Sequence, residues 1–127
     1  MNNILKPNCI QTFLEKYGDM HDGLIKKIEM DYSKRGKPDI EVTITCLNIE
    51  KDTWVNVVIS IEEVQEYKMA ELPREQNVVI FEVSIFHDNG LYYIDYQFKS
   101  ETIEEIRKSN FYVAGRKVSW EEREYKE

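Results

Sequence analysis

"VSIFHDNGLYYIDYQF", residues 83–98, decides the fold. Asn89-Gly90 is the strongest two-residue hairpin signal, because both central residues of such a turn must accept positive φ. With Asn89 and Gly90 as the loop, Asp88 faces Leu91, His87 faces Tyr92, Ile85 faces Ile94, Val83 faces Tyr96 and Phe81 faces Phe98. This register gathers the large apolar partners on one face, as strand pairing over a core requires. The chain is therefore expected to be built from antiparallel hairpins, with His87 a rim residue beside Tyr92.

The same period of two recurs on either side. In "IEVTIT" (40–45), Ile40, Val42 and Ile44 alternate against Glu41, Thr43 and Thr45, and Cys46 continues the apolar side. "WVNVVISI" (54–61) sets Val55, Val57, Ile59 and Ile61 on one face and Trp54, Asn56, Val58 and Ser60 on the other. "LIKKIEMDY" (24–32) puts Leu24, Ile28, Met30 and Tyr32 to one side, with Lys26 the exception. "EEVQEYKMAEL" (62–72) fits either a bent edge strand or a short turn of helix, closed by Pro73. "FYVAGRKVSW" (111–120) reads as a closing hairpin with Gly115 and Arg116 at its tip, pairing Val113 with Val118 and Phe111 with Trp120 and burying Trp120.

Two segments are helical instead. Ile10, Phe13, Leu14 and Tyr17 share one helical face, with Asn8 as the cap and Gly18 as the stop. In "SETIEEIRKSN" (100–110), Thr102 and Glu105 fit a capping box, and Ile103 and Ile106 face inward. The expected whole is one α+β domain over residues 1–127. It is mainly an antiparallel sheet or small sandwich of about six to seven strands, with an N-terminal helix, one short later helix, and frayed ends at 1–7 and 121–127.

Hydrophobic residues make up 42% and aromatic residues 12% of the 127, enough for a core. The net charge of −7 is uneven: residues 51–106 hold 4 bases and 12 acids, while 1–50 hold 7 bases and 8 acids. An acidic chain repels phosphate backbones, so nucleic acid is an unfavourable partner and a basic protein a favourable one. No run approaches the ~20 apolar residues of a membrane span. The start lacks a basic region followed by an apolar one, and the two cysteines suit a reducing compartment, so a cytoplasmic location is expected.

Catalytic chemistry is thin. Both histidines are followed at once by aspartate, in "MHDG" (20–23) and "FHDNG" (86–90). A zinc site from Cys9, His21, Cys46 and His87 would use every soft ligand, yet none shows the short paired spacing such sites use. There is no Gly-rich phosphate loop and no nucleophile elbow. The Glu-Glu pairs at 62–63, 104–105 and 121–122 read as solvated faces. No catalytic residue, metal or cofactor is expected. Asp22-Gly23 is turn chemistry, in which Asp22 accepts backbone amides and His21 packs over the sheet edge.

The order of the segments "HDGLIKKIEMDY", "IEVTIT", "VVISIEEVQEYKM" and "VSWEE" resembles small bacterial families with an aromatic-His-Asp opening. Some members are immunity proteins of polymorphic toxin systems. The resemblance spans most of residues 20–122, with Met20 where the aromatic residue is expected, and it marks His21 and Asp22 as a signature pair, structural or functional, with no catalytic residues to carry over. It implies a non-enzymatic cytosolic protein that binds a toxin domain. Two other readings stay open: a small ligand-binding domain or enzyme with a site around His21 and Asp22, and a housekeeping subunit that forms a homodimer through an edge strand. For a protein partner, the expected contact residues are Glu62, Glu63, Glu66, Tyr67 and Glu71, with Glu75 just past Pro73. Acidic side chains on an edge segment deter self-pairing and attract a basic partner.

Overall fold

In a computed structural model, which describes residues 3–32, 36–69, 78–80, 82–97 and 99–125, the alternating segments become strands. In chain order they are β1 (Asn3–Ile4), α1 (Ile10–Lys16), β2 (Leu24–Asp31), β3 (Asp39–Asn48), β4 (Thr53–Met69), β5 (Val78–Val79), β6 (Ser84–Asp88), β7 (Leu91–Asp95), α2 (Ile103–Lys108) and β8 (Phe111–Glu124). All eight strands join one antiparallel sheet in the order β5-β2-β3-β4-β8-β7-β6, with β1 added to β8. The fold is α+β, with an N-terminal helix and one short later helix.

The Asn-Gly hairpin takes the expected register, from Ser84 opposite Asp95 to Asp88 opposite Leu91. Asn89 and Gly90 both have positive φ, as the turn demands. His87 stands opposite Tyr92, with the two rings 4.7 Å apart. The expected Phe81–Phe98 pair lies outside the described residues.

β4 and β8 run through both halves of the sheet. The first half of β4 lies between β3 and the end of β8; its second half pairs with the start of β8, which pairs in turn with β7. Alternation then buries Val42, Ile44, Val57, Ile59, Val113 and Ile94 in one cluster, closed at one end by Phe13, Leu14 and Tyr17 around α1. Full burial of each such side chain is worth roughly 1.5–3 kcal/mol. Trp120 is half-buried, packed against Phe13 (ring centroids 5.1 Å) and Tyr17 (6.0 Å).

Several expectations need correction. The closing hairpin does not form: residues 111–124 are one strand, and Gly115 lies inside it. A Cβ on Gly115 would sit 2.3 Å from Ile61 Cγ2 and 3.0 Å from the Glu62 carbonyl, so the glycine serves close strand approach and not a turn. Residues 62–69 are strand and not helix, and a bent edge among the described residues: they pair with β8 on one side, while on the other the pairing with β3 stops at Ile61 and only the Val64 amide donates, to the Pro38 carbonyl (3.0 Å). The bend comes from a register shift between Val64 and Glu66, next to Glu63 at positive φ. Lys26 is out of phase for a similar reason: a register shift between Ile25 and Lys27 turns Ile25, not Leu24, into the core. Asn8 does not cap α1, which starts from Cys9 without a side-chain cap.

The ends are paired where they are described. Asn3 stands opposite Trp120, Leu5 is buried, and Glu121–Glu124 pair with β4. Glu122 is a structural hub, and not part of a solvated face. Its carboxylate accepts hydrogen bonds from Tyr17 Oη (2.8 Å), Asn48 Nδ2 (2.8 Å) and Lys51 Nζ (2.9 Å). Thr102 caps α2 by accepting from the Glu105 amide (3.1 Å), while the Glu105 carboxylate accepts from the Glu101 amide.

Candidate functional site

Because the sheet buries one face of β2, β3 and β4, the side chains between the core positions share the opposite face. The pairing registers make this face a grid. Glu29, Glu41, Ser60 and Ser119 form one row across four strands. In the next row Asp31 stands opposite Asp39, and Glu62 opposite Lys117. The two small serines leave a hollow between longer neighbours. The result is a groove of about 240 Å³, lined by Glu29, Asp31, Asp39, Glu41, Ser60, Glu62 and Ser119 with parts of Ile40 and Ile61. Among the described residues, no basic side chain lines it.

Glu29 and Glu41 are direct cross-strand partners of like charge, an arrangement that destabilises a sheet. Neighbouring cations offset part of this. Lys27 Nζ lies 2.5 Å from Glu29, and Arg123 binds Glu121 (3.2 Å) at the flank. Ser60 Oγ donates to Glu41 (3.4 Å), and the Glu63 amide donates to Asp39 Oδ1 (3.1 Å). A local conflict of this kind in an otherwise consistent sheet is where a binding role is expected.

The residues expected to meet a partner do not form one face. Glu62 lines the groove, and Glu63 is exposed at the bend beside it. Glu66 points to the other half of the sheet, where it binds Arg107 (2.9 Å) and accepts from Tyr112 Oη (3.2 Å), tying α2 down. Tyr67 is exposed, its hydroxyl 3.3 Å from that of Tyr32. Glu71 and Glu75 lie outside the described residues. Glu29, Asp31, Asp39 and Glu41 were missed, because the basic connection "SKRGKP" between them balances the local charge. Their signal is the mirrored "EMD" and "DIE" around that connection, which a hairpin folds into facing acids.

The His21–Asp22 pair sits elsewhere, on the turn after α1. His21 Nδ1 lies 3.1 Å from Asp22 Oδ2, and both side chains are largely exposed. The Asp22 carboxylate thus faces His21 and not the backbone amides expected of it, and His21 does not pack down on the sheet. The Asp22 amide donates to the Ile80 carbonyl (2.9 Å). Both residues line a second groove with Tyr17, Gly18, Leu47, Ile49 and Trp54. Cys46 is buried, and burial pushes its thiol up to about 12, so it is an inert core residue. Cys9, His21, Cys46 and His87 do not converge: among the described residues, no three His, Cys, Asp or Glu side chains are placed to hold a metal ion. No described helix is long and apolar enough to cross a membrane.

Comparisons with protein-family models, with curated proteins and with solved structures return no match to this chain.

Proposed function

We propose that this chain is a non-enzymatic protein-binding domain whose acidic groove receives the Lys and Arg side chains of a basic partner. The observation that carries the reading is Glu29 set directly against Glu41, with Glu62 on the same groove. Such a pair costs stability in the free protein, and a bound cation relieves it. A binding role gives the sheet a reason to keep it. The resemblance to immunity families supplies the partner class, a basic toxin domain, and the negative field of clustered acids suits fast capture of such a partner.

The test is equilibrium binding to the product of any toxin gene that neighbours its own, by calorimetry on the purified pair. Replacing Glu41 and Glu62 together by Gln should weaken binding at least about tenfold, since each close charge pair at an interface contributes on the order of 1.5 kcal/mol or more. Replacing the α2-bound Glu66 by Gln should not. Equal affinity for wild type and the Glu41/Glu62 variant would remove the groove from the function.

A further inference from the structure

The second groove lies on the same solvent face as the acids, at the far end of β3 and β4. Leu47 and Trp54 are cross-strand partners there, and Ile49 follows on the connecting turn. Trp54 is 49% and Ile49 53% exposed, large apolar surfaces for a sheet end. With Tyr17, His21 and Asp22 they enclose about 250 Å³ of mostly apolar surface. Among the described residues, Asp22 is the one acid in its lining, and the exposed turn between β3 and β4 carries Glu50, Lys51 and Asp52.

The wall of this groove holds an unusual backbone. Gly18, Asp19 and Met20 are consecutive residues at positive φ, and Asp22 follows at φ 62°. Non-glycine residues resist that region, and such strain gathers at binding and catalytic sites. Gly18 suits its φ of 54°, and a Cβ there would meet Ile49 Cδ1 at 2.7 Å, the movable end of that side chain. The turn is thereby pressed against the hairpin that carries Ile49 and Trp54, and the Ile49 amide donates to the Lys16 carbonyl (3.0 Å).

Between the two grooves β3 and β4 themselves carry uncharged side chains, flanked by Lys27 on β2 and by Glu121 and Arg123 on β8. Thr45 opposes Asn56, and Thr43 opposes Val58. Leu47 follows Glu41 of the acid row by six positions along β3, which is about 20 Å at ~3.3 Å per residue. Building on the acidic-groove reading, we infer that the two grooves form one bipartite docking face. Its occupant is an extended segment of the partner that carries an apolar anchor side chain about 20 Å from a cluster of Lys or Arg. The anchor fills the Trp54 groove, and the basic cluster lies among Glu29, Glu41 and Glu62. Charge complementarity at the acid row, the apolar lining at the Trp54 end and the continuity of β3 and β4 between them select this occupant. The acid row disfavours a second copy of a chain with net charge −7.

The probe is a Trp-free extended peptide of about nine residues, with Leu at one end, three Lys at the other and a Gly-Ser spacer. Two controls replace Leu by Ser, or the three Lys by Ser. Binding is followed by tryptophan emission and by anisotropy of a labelled peptide. The Leu peptide should bind wild type at least tenfold more tightly than its Leu→Ser form, with a blue shift in emission. Trp54→Ala should abolish both the difference and the shift, while binding of the three-Lys end stays salt-sensitive. Ile49→Ser, at an exposed position, serves as a second variant should Trp54→Ala lose the native circular dichroism, and it should reduce the same difference. If the Leu and Ser peptides bind alike, or their difference survives both substitutions, the bipartite face is overturned while the acidic groove stands. If no three-Lys peptide binds in a salt-dependent way, both fall.

Discussion

At the scale of single residues, Glu41 is held against Glu29 across β2 and β3, and this makes a prediction that needs no partner. Glu41→Gln should stabilise the free protein by about 0.2–1 kcal/mol, the range of cross-strand charge effects. The gain should shrink as salt screens it. Urea midpoints at low and high ionic strength would show this, and a loss of stability at low salt would contradict it. Glu122 behaves in the opposite way. Burial opposes its ionisation, but donation from Lys51, Tyr17 and Asn48 outweighs burial and holds the carboxyl below its ordinary value of 4.5. A carboxyl depressed by folding contributes stability that is present above its unfolded pKa and lost as pH falls through the folded one. Glu122→Gln should therefore cost stability at neutral pH and flatten the acid limb below about pH 4.5. An unchanged acid limb would show that the network contributes nothing. Only some of these roles are legible from the chain. His87 is, because Asn-Gly fixes its neighbour. Glu122 is not, because its three donors come from α1's end, β3 and the β3–β4 turn, far apart in sequence.

At the scale of elements, the alternation of apolar residues identified strands β2, β3, β4, β6 and β7 and the apolar stripe identified α1. The errors came where alternation slips. An inward Val113 followed by an inward Val118 has the odd spacing that a two-residue turn produces, and a bent continuous strand produces it too. Gly115 tipped the reading toward a turn, although its role is to admit Ile61. In the same way, Lys26 marks a register shift that a strict period of two cannot accommodate. Residues 62–69 fit either strand or helix by sequence because Val64, Tyr67 and Met69 make no clean stripe; the bent strand forms, and its polar side chains serve α2, through Glu66, and the β2–β3 connection, through Gln65 bonded to Lys37. The crossing at Gly115 can be tested directly. Gly115→Ala should destabilise by about 1–3 kcal/mol, the usual cost of overpacking, and chemical denaturation would measure it. Gly36→Ala meets no neighbour within 4 Å but forces alanine to φ 104°. It separates a steric cost from a backbone one. A neutral Gly115→Ala would mean that β4 and β8 do not approach so closely.

At the scale of the whole molecule, charge and shape divide the sheet. One face closes on the core with α1; the other carries an acidic groove, a neutral middle and an apolar end along β3 and β4. The linear charge count pointed to residues 51–106, but the groove draws Glu29, Asp31, Asp39 and Glu41 from the balanced first fifty and only Glu62 from the middle. Folding, not composition, concentrates the charge. An acidic face that captures a basic partner acts first on the rate of encounter, because long-range attraction steers diffusion before contact. Stopped-flow mixing of this protein with the product of any toxin gene that neighbours its own, across a range of salt, tests that claim most directly. The wild-type association rate should fall steeply as ionic strength rises, and Glu41→Lys with Glu62→Lys should lower it at least tenfold at low salt while flattening the salt dependence. A wild-type rate that stays level from low to high salt, or a charge-reversed protein that associates as fast as wild type, would contradict it.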